Sequence, residues 1–325
     1  MKNIKLALVT TAAALALGSA ASAEKWDMPM AYAATNFHSE MGVVFADKVK
    51  EYTNGALEIT VHPGGSLFKG GEIKRAVQTG QAPIGERFMS AHANEAPLLA
   101  WDNVPFLATT YEENEMLWKA AAPKVNAQLA DLNLVSLYTC PWPGQGFYFK
   151  KEVGSSKDTQ GIKFRSYNTA TATFAEELGM VPVQVEAAEL SQALATGVAE
   201  AFISSGSTGY DRKVWEHLTH YYKVNAWLPR NSVIVNKGVW DGLADDVKAG
   251  VQKAADETGA ACSAKSAELA GWYFEQLEAN GMKVEDAGPE FLAELQAIGE
   301  KMTAAWLETA GSEGQEILDA YKAMK

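Results

Sequence analysis

From Ala244 to Asn280 the chain runs without a proline; Gly250, Gly259 and Gly271 stand alone inside an apolar-periodic stretch. A continuous helix there would hold about 37 residues and extend ~55 Å at 1.5 Å per residue. That is too long to lie against one compact body. The pattern therefore predicts a helix that crosses between two lobes and ties them together. The alternative is two helices kinked near Gly259.

Upstream, short apolar runs alternate with amphipathic segments. Trp26–Tyr32 reads as an opening strand, and Asn36 or Ser39 is placed to cap a helix carrying Met41, Val44, Phe45 and Val49. Thr53-Asn54-Gly55 ends that helix. Leu57–Val61 alternates as a second strand, and a helix follows the Pro63–Ser66 turn to about Gln78. Further helices are expected near 111–131, Ala170–Leu178 and Glu186–Ala195, with strands at Leu132–Tyr138 and Ala201–Ile203. This rhythm predicts parallel sheets covered by helices. No Pro/Gly/Ser-rich linker divides the chain, so more than one crossing between lobes is expected.

At the N-terminus, Lys2 and Lys5 precede an apolar run from Leu6 to Leu17, and Ala21-Ser22-Ala23 fits a small-residue cleavage site. The run is interrupted by Thr10 and Thr11 and is short of the ~20 residues a membrane span needs. Residues 1–23 therefore read as a signal peptide, and the remainder as an exported chain that is not itself embedded in a membrane. No Cys follows the cleavage point to carry a lipid. A net charge of −12 over 325 residues gives no basic footprint for nucleic acid. Two cysteines are too few for a disulfide framework; Cys140 and Cys262 either pair or, as the favoured reading, remain two isolated buried thiols. A bacterial periplasm fits this reading.

Catalytic constellations are missing from the sequence. There is no dinucleotide or phosphate loop and no nucleophile elbow. Ser66-Leu67-Phe68-Lys69 matches Ser-x-x-Lys without that motif's partners. His217 and His220 have a spacing that would put both on one helical face, with no acidic or thiolate ligand set beside them.

Aromatic residues supply the stronger signal. Among nine tryptophans, Trp101, Trp142 and Trp227 fall in loops expected after strands. Trp142 lies in Cys140-Pro141-Trp142-Pro143-Gly144-Gln145-Gly146-Phe147-Tyr148-Phe149, where prolines stiffen the chain on both sides of the indole. Such a segment either plugs a core or walls a ligand cleft at the end of a sheet. Next, Gly161–Arg165 alternates as a short strand that delivers Arg165 to its end, followed by Ser166-Tyr167-Asn168.

These segments together resemble the solute-binding subunits of tripartite ATP-independent periplasmic (TRAP) transporters, the DctP-like family. The resemblance runs through Leu57–Leu67, Glu72–Gly80, Asp102–Leu107, Gly161–Thr171, and Pro182 with Glu189–Val198. It implies an α/β fold of the periplasmic-binding-protein type, two lobes around a cleft, with lobe I at 24–143 plus 231–271 and lobe II at 144–230 plus 272–325. It also implies a receptor, not an enzyme, that captures a small organic acid and hands it to membrane subunits; a monomer with no cofactor or metal is expected. An exported receptor of another transport or sensing system, or an exported hydrolase, is the alternative.

Arg165 carries over as the carboxylate anchor, since a guanidinium offers two parallel N–H bonds to a carboxylate. The alternative for Arg165 taken alone is a surface salt bridge. The other candidate ligand residues are Glu86, Trp142, Gln145, Tyr148, Tyr167, Asn168, Ser204, Ser205 and Phe37. Gln145 stands where many relatives have a second arginine, and Ser204 where they have an asparagine. One cation, aromatic surface and Glu86 as an acceptor favour a monocarboxylate with a hydroxylated, aromatic or zwitterionic body over a dicarboxylate.

Overall fold

A computed structural model describes residues 23–325; residues 1–22, and with them nearly all of the expected signal peptide, lie outside the described part. The first body opens with β1 (Glu24–Pro29), α1 (Phe37–Tyr52) and β2 (Leu57–His62), in which β1 and β2 pair in parallel. Asn36, not Ser39, caps α1 by accepting from the His38 N–H at 2.9 Å. The chain continues through α2 (Gly70–Gln78), β3 (Ile84–Phe88), α3 (Tyr111–Asp131) and β4 (Leu134–Pro141).

It then crosses over. β5 (Gly146–Phe149), β6 (Lys163–Ser166), α4 (Thr169–Glu177), β7 (Val181–Gln184), α5 (Leu190–Ala195), β8 (Ala201–Ser204), α6 (Gly206–Asp211) and β9 (His220–Lys223) build a second body. β10 (Arg230–Asn236) returns between β3 and β4, and α7 (Lys237–Gly242) and α8 (Asp245–Ala279) follow. Finally β11 (Lys283–Asp286) completes the six-stranded sheet β11-β9-β5-β8-β6-β7, and α9 (Pro289–Lys322) closes the chain.

The sheets are mixed rather than parallel throughout. Strands joined by a helical crossover, such as β6 and β7, do run parallel. β10 runs antiparallel to both β3 and β4, and β5 antiparallel to both β8 and β9. Each of these two arrives directly from the other body, so no return helix fixes its direction.

The long helix is continuous. Val251, Ala254 and Ala255 of α8 pack into the core of the first body, and Phe274 and Leu277 into the second. Gly259 does not kink it; a Cβ there would lie 3.1 Å from Tyr138 Cβ, so the glycine lets α8 settle onto β4. Helix α9 crosses too. Its Phe291, Leu295 and Ile298 pack with the six-stranded sheet, whereas Trp306, Ile317 and Tyr321, on either side of the break at Gly311, pack with α3.

Two local readings are corrected. Cys140 and Cys262 are not free thiols but a disulfide. They are 122 residues apart, and only the landing of α8 on the end of β4 brings their Cα atoms to 5.6 Å. His217 and His220 do not share a helix face, because the chain leaves a single 3-10 turn at Glu216 and enters β9 at His220.

Candidate functional site

Trp142 and Gln145, in the segment that carries the chain from β4 to β5, line a cleft between the two bodies. Arg165 enters this cleft from β6. Its Nε donates to the Val185 carbonyl at 2.8 Å and its guanidinium faces the Tyr167 ring at 5.2 Å. Only 2% exposed, it forms no ion pair among the described residues, and burial pushes its pKa down to about 10. A buried cation so little compensated costs free energy unless an anion joins it.

Around it, Trp142 supplies a flat wall. Its Nε1 donates to Asn231 Oδ1 at 2.9 Å, its ring stacks on His38 at 4.0 Å, and Tyr32 meets it edge-on at 4.7 Å. Gln145 is held by a relay in which Trp227 Nε1 donates to the Tyr167 hydroxyl, that hydroxyl to Gln145 Oε1, and Gln145 Nε2 to the Pro143 carbonyl. Ser204, at the end of β8, adds a hydroxyl.

The cleft thus brings together Arg165, Trp142, Gln145, Tyr167 and Ser204 from the sequence-derived set. The other five lie behind it. Glu86 points away, and its Oε1 pairs with His38 Nδ1 at 2.7 Å; the other carboxylate oxygen is buried without a hydrogen-bond partner. Tyr148 stacks on Phe202 and donates to the Ser205 carbonyl. Asn168 caps α4 and spends its Nδ2 on Asn103 Oδ1 and Ser90 Oγ of the first body. Ser205 caps α6, and Phe37 packs edge-on against Trp142.

Sequence reasoning passed over Tyr32, Phe88 and Thr208, and above all two charged residues, Arg87 and Glu186. Arg87 Nη2 donates to Glu186 Oε1 at 3.2 Å across the cleft, and Arg87 Nε donates to His92 Nε2 at 3.4 Å. His92 suits the acceptor role, because burial first and then the Arg87 charge push its pKa down to about 4. The cleft is therefore not a one-cation site balanced by Glu86. It holds two guanidinium groups and one carboxylate, Glu186. An arginine beside Glu86 in an apolar strand was the available signal.

Two other features offer less. His38, Cys140 and Cys262 cluster closely enough to suggest a metal site, but the sulfurs are joined to each other, which leaves one imidazole. A wider hollow between α3 and α8 contains Arg230, whose nitrogens are committed to Asn114, Thr139 and Glu115.

Residues 30–310 match the family model of the bacterial extracellular solute-binding proteins, family 7 (DctP). The chain is 28% identical over 293 residues to the C4-dicarboxylate-binding periplasmic protein DctP of Rhodobacter capsulatus, covering 86% of this chain and 84% of that one. Among solved structures, it is 82% identical to a marine-metagenome TRAP solute-binding protein specific for pyroglutamate, which holds co-purified pyroglutamate. That likeness has a TM-score of 0.92 and covers 93% of this chain and 99% of that one. DctP6 of Bordetella pertussis, an extracytoplasmic receptor binding pyroglutamic acid, is 41% identical with a TM-score of 0.90, over 92% and 99% of the two chains.

Proposed function

The chain belongs to the bacterial extracellular solute-binding proteins of family 7, and we propose that it is the TRAP-transporter receptor for pyroglutamate. It captures this small carboxylic acid in the cleft between its lobes and delivers it to the membrane subunits. The observation that carries the ligand assignment is Arg165, a buried guanidinium that faces the cleft with no acidic partner among the described residues.

Pyroglutamate is a five-membered lactam with a single carboxylate. Arg87 is offset by Glu186, so one uncompensated positive charge remains, which one carboxylate neutralises. The flat ring suits the aromatic wall of Trp142, and the lactam N–H and C=O suit the hydroxyls of Ser204 and Thr208, which also line the cleft. The 82% identity to a pyroglutamate-specific receptor supports the same choice.

The receptor works outside the cytoplasmic membrane as a monomer, after cleavage of residues 1–23. The Cys140–Cys262 disulfide, a bond of oxidising compartments, supports its export. Its lobes divide near 143/144, 230/231 and 271/272, with the end of α9 returning to lobe I, and closure hinges at the two loop crossings near 143/144 and 230/231. A thermal-shift screen of ligand-stripped protein against small carboxylic acids tests the reading. L-Pyroglutamate should raise the midpoint most; a larger shift with succinate or D-glucuronate would reject it.

A further inference from the structure

The ion pair between Arg87 and Glu186 has a consequence for which anions the cleft admits. Arg87 is 5% exposed and rises from β3, so its charge is as much a part of the cleft as that of Arg165. Its Nε partner, His92, is a neutral acceptor. The acid that offsets Arg87 is therefore Glu186, reaching over from the second body at 3.2 Å.

Glu186 lies against the start of α2. A Cβ at Gly70 would lie 3.1 Å from Glu186 Oε2 and 3.1 Å from Arg87 Nη1, and one at Gly71 would lie 3.4 Å from Glu186 Oε1. Two glycines at the head of a helix leave room for a carboxylate, and the free N–H groups of that first turn favour its charge.

We infer that Glu186 is a specificity-determining residue which confines the cleft to monoanions by neutralising Arg87. This rests on reading the cleft as a carboxylate-receptor site. With Glu186 in place, the first carboxylate of a ligand takes Arg165. A second would meet Arg87 only beside an existing carboxylate, and like charges in a desolvated site repel strongly. With Glu186 made neutral, the cleft holds two free guanidinium groups and becomes a dicarboxylate site.

The test is calorimetry on wild type, Glu186→Gln and the double variant Arg87→Gln/Glu186→Gln. The ligands are L-pyroglutamate, cyclopentanecarboxylate as a second monoanion, and glutarate as the dianion. The Glu186 side chain is 39% exposed and glutamine keeps its shape, so the fold should survive, as circular dichroism would verify. Glu186→Gln should move the preference for monoanion over glutarate by about tenfold or more towards glutarate, and the double variant should lose that gain. An unchanged ratio in Glu186→Gln, a gain that persists without Arg87, or a wild type that prefers glutarate would each overturn the inference. Failure of pyroglutamate alone, with cyclopentanecarboxylate bound and the ratio shifted, would reject the ligand assignment and leave the role of Glu186 standing.

Discussion

Arg165 is held by Val185 through its Nε alone, at 2.8 Å, and this one bond to the strand end leaves its fork turned to the cleft. The anchor is therefore aimed by the backbone and not by a neighbouring acid. Arg165→Ala should keep the fold and weaken pyroglutamate binding by about 2–4 kcal/mol, the range for losing one partner of a desolvated ionic contact. Arg165→Lys should rescue little, because an ammonium lacks the fork. Calorimetry checks both, and wild-type affinity in either variant would remove Arg165 from the site.

The disulfide should stabilise both the fold and the cleft wall. It closes a loop across 122 residues, for which chain entropy gives up to about 4–5 kcal/mol. Cys140 lies two residues before Trp142 and shares its apolar cluster with Phe37 and Met41. Cys140→Ala/Cys262→Ala should therefore unfold at lower denaturant and also bind more weakly. Full affinity with reduced stability would limit the bridge to a structural role.

Trp142 lines the cleft and stacks on His38, so ligand and lobe closure both alter its surroundings. Ligand should change the intrinsic fluorescence, and Trp142→Phe should remove most of that change. A signal that survives intact would assign it to Trp227 or another indole.

Asp102 should leave a mark on the pH dependence of stability. It accepts from the Arg230 N–H at 2.7 Å and from Asn103 Nδ2 at 3.0 Å, yet burial raises its pKa to about 7. In the unfolded chain the group ionises near pH ~3.9. Between those values the folded state holds the extra proton, so this residue's contribution falls as pH rises and its cost is complete above pH 7. The melting temperature of Asp102→Asn, taken relative to wild type, should climb from pH 4 to pH 8. A flat difference would mean that Asp102 is ionised throughout.

How far the sequence reached depended on the range of the interactions. α8 and the Asn36 cap were legible because periodicity and capping act within a few residues. The placement of Arg165 near the end of β6 was legible because a short alternating strand carries it there. Glu86 was misplaced because its partner, His38, comes from α1, 48 residues earlier, and this pairing takes up the carboxyl away from the cleft. The pair Arg87–Glu186 and the bridge Cys140–Cys262 join residues 99 and 122 positions apart. No local pattern encodes such contacts. Strand direction failed for the same reason, since β5 and β10 take theirs from the crossings between lobes.

The most direct test of the account is calorimetric titration of L-pyroglutamate into wild-type protein freed of bound ligand by unfolding and refolding, with Arg165→Ala in parallel. One saturable site per chain is expected in the wild type, with a loss of affinity by roughly two orders of magnitude in the variant. Equal binding by the two proteins, or tighter binding of succinate than of pyroglutamate by the wild type, would contradict it.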